Sequence, residues 1–332
     1  MSKLISKTKG KSTAISIGIT QGEPNGISPE IIASAIKRIK PDKTLHIKII
    51  SGEKTSKIIK KLIGRVSPHI EFIKLDKKVI PAGILKNDAL ASIYYGAHLA
   101  KMKLIDALVT APIDKSVISK YYKGFSGHTG FLKKILSSKN SLMFMTSPSF
   151  KIGILTEHLP LKDVPKNINK KIIIKAVKLI NEYMSFYKKD PVIGVLALNP
   201  HSGDNGLLGK EEQKILIPAI KELNKHGIKT TGPIPADSAF LFDKKNNYDA
   251  VLAMYHDQGM IPSKIRGFDK LVNVTLGLPI IRTSPGHGVA YDLKNKKKAS
   301  PNSMIRAIEL ATEMVMLQKI LNKRICNKKI TK

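Results

Sequence analysis

An α/β fold with a largely parallel sheet is what this chain of 332 residues predicts, on three observations. Short apolar runs without polar alternation recur, as in Ala250-Val-Leu-Ala-Met-Tyr255. Such a run needs cover on both faces, which is how a central strand of a parallel sheet reads. The runs alternate with longer segments of helical period, such as Asp88–Met102 and Ser303–Leu321. They also end in clusters of turn formers, and open α/β sheets bind ligands outside the carboxyl ends of their strands. The length leaves room for two domains.

Residues 1–12 are basic and read as a disordered tail. Ala14–Thr20 is the first strand, running into Gln21-Gly-Glu-Pro-Asn-Gly-Ile-Ser28. Ser28 suits an N-cap, Pro29 the first helical position and Glu30 the helix dipole, so a helix is expected over Ile31–Ile39. The loop has neither G-x-x-x-x-G-K-[ST] nor G-x-G-x-x-G, so it reads equally as a tight α/β loop or a phosphate cradle. Leu45–Ile50, His69–Leu75 and Asp106–Pro112 read as strands, and Lys54–Ile63 and Asp88–Met102 as helices. In Gly124–Leu132 two glycines flank His128-Thr129 and let backbone approach a ligand, which suits a polar substrate-binding turn. Ser141–Met145 and Lys151–Thr156 are adjacent strands, and Asn167–Tyr187 and Gly209–Lys225 are helices. Asn199–Gly209 and Thr231–Ser238 are loops, and Leu271–Pro279 is a strand. Ile280–Asp292 opens apolar and ends in a Gly-rich turn, followed by a charge run, Lys294–Lys298, and the closing helix.

Three of the apolar runs end in histidine. These are His158 after Phe150–Thr156, His201 after Val192–Asn199, and His256 after Ala250–Tyr255. Three imidazoles at equivalent strand ends suit zinc or another transition ion, with a coordination position left open for chemistry. Any one of them alone would read as a capped or hydrogen-bonded histidine. Asp257 follows His256 directly, Gln258-Gly259 reads as a sharp turn, and Lys264 lies a few residues on. Asp237 is a candidate acid/base or ligand-orienting carboxylate, or else the N-cap of a short helix over Ala239–Phe242. Arg282, between Ile281 and the Gly-rich turn, is an anion ligand by type.

Composition excludes several classes. One cysteine, Cys326, rules out internal disulfides and Cys-rich zinc modules and fits a reducing compartment. No apolar run approaches a membrane span and the N-terminus lacks a secretory h-region, so a cytoplasmic location is expected. The formal charge of +32 would suit nucleic acid, but the lysines are spread along the chain and aromatics are only 5%. Without a stacking platform or a recognition motif, nucleic-acid binding is not expected; the positive field would draw an anionic substrate.

Together Gly127-His-Thr-Gly130, Asn199-Pro-His201, Tyr255-His-Asp-Gln-Gly259 with Lys264, Leu276-Gly-Leu-Pro279 and Arg282-Thr-Ser-Pro-Gly-His-Gly288 resemble the 4-hydroxythreonine-4-phosphate dehydrogenase family of the vitamin B6 pathway. The resemblance runs from Ile19-Thr-Gln-Gly-Glu-Pro-Asn-Gly26 to the closing helix. Gln21 stands where proline is more usual, and Ser202-Gly203-Asp204 replaces a more usual Ala-Gly-Glu. The resemblance implies two α/β/α domains like those of isocitrate and isopropylmalate dehydrogenases, with the active site in the interdomain cleft. The boundaries drawn from it are 13–126 plus 296–332 for the first domain and 127–295 for the second, which would carry the metal ligands and the dimer interface. It further implies a homodimer with a shared active site, NAD or NADP bound without a Rossmann fingerprint, and one divalent ion (Zn, Mg or Co) per site. The implied metal ligands are His158, His201 and His256. The implied substrate contacts are His128, Thr129, Lys264, Asn273 and Arg282. The turn Thr283, Ser284, Gly286, His287, Gly288 resembles the loop holding the adenosine end of the cofactor.

The expected reaction is oxidation of the C3 hydroxyl of 4-phosphooxy-L-threonine to a β-keto acid, which decarboxylates to 3-amino-2-oxopropyl phosphate. Candidate catalytic residues are Lys264, Asp257 and Asp237. The rival readings are a sibling dehydrogenase acting on phosphorylated threonate or erythronate, and a metal-dependent hydrolase or lyase using the same histidines.

Overall fold

The computed structural model describes residues 14–240, 248–296 and 298–330, so the expected basic tail lies outside the described residues. The chain divides into two compact units, one made of Met1–Leu136 and Pro279–Lys332, the other of Ser137–Leu278. The expected boundaries at 127 and 295 would place the helix opening at His128 and the strand after Ile280 in the second unit. Both belong to the first, because each packs on elements of that unit.

The first unit begins with β1 (Ile15–Thr20), α1 (Ser28–Ile39), β2 (Leu45–Ser51), α2 (Glu53–Ile63) and β3 (Ile70–Lys74). It continues with α3 (Ala82–Leu85), α4 (Asp88–Lys101), β4 (Ala107–Thr110), α5 (Lys115–Ser119) and α6 (His128–Ile135). Ile17, Ile19, Ile47, Ile49 and Val109 alternate or run together on fully buried faces, as strands covered on both sides require. In α1 the apolar positions Ile31, Ile32, Ala35 and Ile36 share the buried face, and Lys37 and Arg38 close the last turn, where cations suit the helix dipole. Ser28 does not cap this helix. Ile27 holds the cap position, and Ser28, inside the helix, donates its hydroxyl to the Pro112 carbonyl at 2.9 Å.

The second unit contains β5 (Leu142–Thr146), β6 (Lys151–Thr156), α7 (Val164–Asn167), α8 (Lys170–Ser185), β7 (Ile193–Leu196), α9 (Ile217–Lys225), β8 (Thr230–Ile234), β9 (Ala250–Tyr255), α10 (His256–Gly267) and β10 (Val272–Leu276). The strand order is β10-β5-β6-β9-β7-β8, with β5 antiparallel to both its neighbours and the rest parallel. β9 sits between β6 and β7 and buries Ala250 to Met254 completely, as its unbroken apolar run requires. The expected helix Asn167–Tyr187 is split, because Asn169 leaves the helical region and its side chain caps α8 by accepting the Ile172 N–H. The expected helix Gly209–Lys225 opens instead with a wide π turn, Glu212–Leu216. Thr231–Ser238, expected as a loop, starts as strand β8. Its Pro233 is tolerated because β8 is an edge strand. Gln258-Gly259 is not a turn: β9 passes directly into α10, and Gln258 spends its amide on backbone, accepting the Met254 N–H and donating to the Ala197 carbonyl, both at 2.7 Å.

The chain then returns to the first unit with β11 (Ile281–Pro285) and α11 (Asn302–Ile330). β11 pairs with β4, completing a parallel sheet in the order β3-β2-β1-β4-β11, and α11 packs on β11, β4 and β1. No described helix is long and apolar enough to cross a membrane.

Candidate active site

The second unit places its three histidines beyond the carboxyl ends of three neighbouring parallel strands, β6, β9 and β7. His256 is the first residue after β9 and the first of α10. His158 follows the end of β6, and its ring lies 5.4 Å from that of His256, tilted by 38°. Nδ1 of His256 donates to Oδ1 of Asp257 at 2.7 Å. This bond selects the tautomer that leaves Nε2 with its lone pair, the usual second partner of a metal-binding imidazole.

His201 lies beyond β7 in Pro200–Gly206. There His201, Ser202, Gly203, Asp204 and Asn205 all take positive φ, from 39° to 78°, a left-handed turn. Four of these carry a Cβ, and each such residue costs about 1–2 kcal/mol relative to a right-handed conformation, so the surroundings must hold the turn in place. The pair His158–His256, oriented by Asp257, has the donor chemistry for a divalent transition ion. His201 of the same chain does not complete the set: among the described residues no group of three His, Cys, Asp or Glu side chains stands close enough to hold an ion.

Lys264 is exposed on α10. Asn273 is on β10 with its Oδ1 enclosed and without a hydrogen-bond partner, so a polar group is wanted beside it. Asp237 is exposed in a turn after β8; part of the short helix it was expected to cap lies outside the described residues.

In the first unit His128 and Thr129 open α6 rather than lying in a turn. Gly127 ahead of them has φ 109°, which a side chain would strain. Nε2 of His128 is enclosed and has no partner. Its pKa is well below the ordinary 6.5, because burial penalises the cation and because Arg282 and Lys115 face it; a hydrogen bond involving Ala111 opposes the shift. Lys115 was not singled out by sequence, since its neighbours there are only Asp114 and Ser116. Arg282 on β11 is 2% exposed and donates Nε and Nη2 to the Thr110 hydroxyl at 3.0 and 2.6 Å. A neutral imidazole, two cations and the N-terminus of an eight-residue helix make this a place for an anion.

The sign of the His128 effect is testable. A depressed folded pKa contributes stability in full above 6.5 and loses it as pH falls from there toward the folded value. The melting temperature of wild type is therefore expected to drop between pH 7.5 and 5.5 more steeply than that of His128→Asn. Parallel curves would sink this reading.

The cofactor-loop candidates are mixed. Thr283 is fully buried and gives its hydroxyl to the Ala307 carbonyl, and Ser284 is buried. The Gly286 N–H donates to Ser303, His287 Nδ1 contacts the Gly288 carbonyl at 3.0 Å, and Gly288 faces open space. Tyr291 donates to Asp114 at 2.7 Å; after the Ser116 hydroxyl, this bond is what holds that carboxyl down to about 2.

Comparison with known proteins follows the same lines. The profile of the family described as "Pyridoxal phosphate biosynthetic protein PdxA" matches residues 27–311. A 4-hydroxythreonine-4-phosphate dehydrogenase from Sulfurihydrogenibium sp. is 39% identical over 92% of this chain and 100% of its own length. An Oceanobacillus iheyensis protein with the provisional name D-threonate 4-phosphate dehydrogenase is 34% identical over 90% of this chain and 97% of its own. The crystal structure of a 4-hydroxythreonine-4-phosphate dehydrogenase from Klebsiella pneumoniae aligns with TM-score 0.75 at 29% identity, covering 91% of this chain and 100% of that one. An isocitrate dehydrogenase from Methylococcus capsulatus aligns with TM-score 0.51 at 13% identity over 91% of this chain and 86% of its own, a likeness of fold alone, in keeping with the expected fold class. With the profile spanning most of the chain and a relative at 39% identity along nearly all of it, the chain belongs to the pyridoxal phosphate biosynthetic protein PdxA family.

Proposed function

We propose that the protein oxidises the C3 hydroxyl of 4-phosphooxy-L-threonine with NAD or NADP, giving a β-keto acid that loses carbon dioxide to leave 3-amino-2-oxopropyl phosphate. The step serves pyridoxal phosphate biosynthesis, as the family's description and the names of its relatives support. The observation that carries the reading is the His158–His256 pair at the ends of β6 and β9, oriented by Asp257. In the reaction a hydride leaves C3 and the hydroxyl proton must leave with it. Lewis acidity toward that oxygen, and toward the enolate of decarboxylation, is what a divalent ion would supply there, with His158 and His256 as ligands and His201 proposed as the third. A nicotinamide supplies the hydride acceptor; Thr283, Ser284, Gly286, His287 and Gly288 are proposed to hold its adenosine end.

The remaining work falls to the chain's own groups. His128, Thr129 and Arg282 are proposed to bind the anionic end of the substrate, His128 neutral and so free to share a hydrogen bond without adding charge. Lys264 and Asn273 are proposed as further substrate contacts. Asp257 orients His256, and Asp237 and Lys264 are proposed to relay the proton. A homodimer with a shared site is supported by the incomplete ligand set among the described residues of one chain and by exposed apolar residues on the segments that follow the histidines, Leu159 and Leu161, Leu207 and Leu208, and Ile261 and Ile265. We place the protein in the cytoplasm, where a chain with one cysteine needs no oxidising environment.

The test is absorbance at the reduced-nicotinamide band with 4-phosphooxy-L-threonine and NAD or NADP, before and after chelation and metal return. Signal lost on chelation and restored by metal is expected. Phosphorylated D-threonate is the second substrate to try, because of the Oceanobacillus relative's name. No nicotinamide reduction with either substrate would sink the dehydrogenase reading.

A further inference from the structure

The segment that leads into the left-handed turn carrying His201 is held by a buried carboxylate. Glu212, 2% exposed, opens the π turn ahead of α9. Its Oε1 accepts the backbone N–H groups of Leu198 and Asn199, both at 2.8 Å, and its Oε2 accepts from the Asn199 side chain at 2.9 Å. The other hydrogen of that amide goes to Glu211, also at 2.9 Å. A buried carboxylate needs such donors, and the segment leaving β7 needs its amides satisfied; each meets the other's need. Gly203, in the middle of the turn, presses on the same carboxylate: a Cβ there would stand 2.7 Å from Oε2. Next to this clamp Gln258, two residues after His256, donates to the Ala197 carbonyl. One backbone polar group on each of three successive residues beyond β7 is thus fixed by a side chain of the helical segments that follow β7 and β9.

We propose that Glu212 is a positioning residue for His201: it fixes Leu198 and Asn199 at the entry to the turn that carries the imidazole, and does not touch substrate. The proposal rests on the reading of His201 as a metal ligand. Wide π turns recur at functional sites, and a partner that orients a ligand without binding the ion is worth 10–100-fold in metal affinity. Glu212→Gln keeps an acceptor at one oxygen but turns an NH2 toward the Asn199 NH2, so it is expected to be a partial loss, and Glu212→Ala the full one.

The experiment combines amide hydrogen exchange on the metal-free protein with zinc or cobalt affinity by chelator competition, on wild type, Glu212→Gln, Glu212→Ala, Gly203→Ala and His201→Ala. Expected are faster exchange at Leu198 and Asn199 in Glu212→Ala with β7 and α9 unchanged, metal affinity down about 10–100-fold in Glu212→Ala and less in Glu212→Gln, and a lowered kcat with nearly constant KM for the nicotinamide. Gly203→Ala, which keeps Glu212 but pushes its carboxylate aside, is expected to act in the same direction; it keeps the test open if Glu212→Ala does not fold. Unchanged exchange at Leu198 and Asn199 in a folded Glu212→Ala, or in Gly203→Ala where Glu212→Ala does not fold, overturns the clamp. So does faster exchange with unchanged metal affinity when His201→Ala does weaken the metal. If neither His201→Ala nor Glu212→Gln affects the metal while exchange at Leu198 and Asn199 rises, the clamp stands and the metal reading of His201 fails.

Discussion

His256→Ala is expected to lower kcat by about 10²–10³ while leaving the melting temperature close to wild type. The imidazole is one of the two rings already paired 5.4 Å apart. Loss of a ligand that supports Lewis-acid chemistry forfeits several kcal/mol of transition-state stabilisation. The fold has little to lose at this position: His256 is partly exposed, and Asp257, left without its partner, is exposed at 72% of its side chain and can be solvated. Asp257→Asn is the finer probe. It keeps the shape, weakens the bond that selects the His256 tautomer, and is expected to reduce metal affinity about 10–100-fold. Initial rates, bound-metal content and thermal melting on the same preparations check both, and a fully active His256→Ala would sink the site.

Arg282 is expected to give the second large effect, and its two variants should separate. Arg282→Lys keeps a charge but loses the planar fork that reaches Thr110 through two nitrogens. A charge-assisted hydrogen bond contributes about 1.5–3 kcal/mol, so kcat/KM is expected to fall about 10–100-fold, mostly through KM. Arg282→Met removes the cation from a site where it is 2% exposed and faces His128. The imidazole pKa should therefore rise toward its ordinary value in Arg282→Met and stay low in Arg282→Lys, as read from the His128 ring resonances across pH. An unchanged His128 titration in Arg282→Met would mean that burial, already the first cause, and Lys115 hold the pKa down without Arg282.

Much of the fold is legible in the residues because the physics is local. Ala250–Tyr255 has no polar position to show to water and becomes the covered strand β9, and His158, His201 and His256 stand at the ends of neighbouring strands. What is not legible depends on contacts distant in sequence or on backbone that composition does not reveal. Gln258-Gly259 has turn-forming residues, yet its amide is spent bridging β9 and β7, and helix α10 runs through it. Pro233 argues against a strand unless that strand is an edge, which only the sheet reveals. Ser202, Asp204 and Asn205 signal a loop but not its left-handed course, and nothing in them points to Glu212, whose carboxylate takes the two amides just ahead of the turn. The glycines around His128 and Thr129 read as a polar substrate-binding turn; Gly127 instead delivers both residues to a helix N-terminus.

The strand order also dictates a timetable. β9 is the last of the three histidine-bearing strands to leave the ribosome, yet it fills the gap between the other two, with Val251 beside Ile152 and Ala250 beside Ile193. Likewise β11 aligns Ile281 with Ala107 only after the whole second unit has been made. Neither half of the molecule can therefore finish its sheet until the last third of the chain has been synthesised, and in the meantime β6 and β7 present open ladders. Pairings of such long sequence separation form slowly, and open ladders invite association with other nascent chains. A formal charge of +32, spread over the whole chain, sets like against like during that interval, so mutual repulsion protects the incomplete sheet when no neighbouring strand yet does.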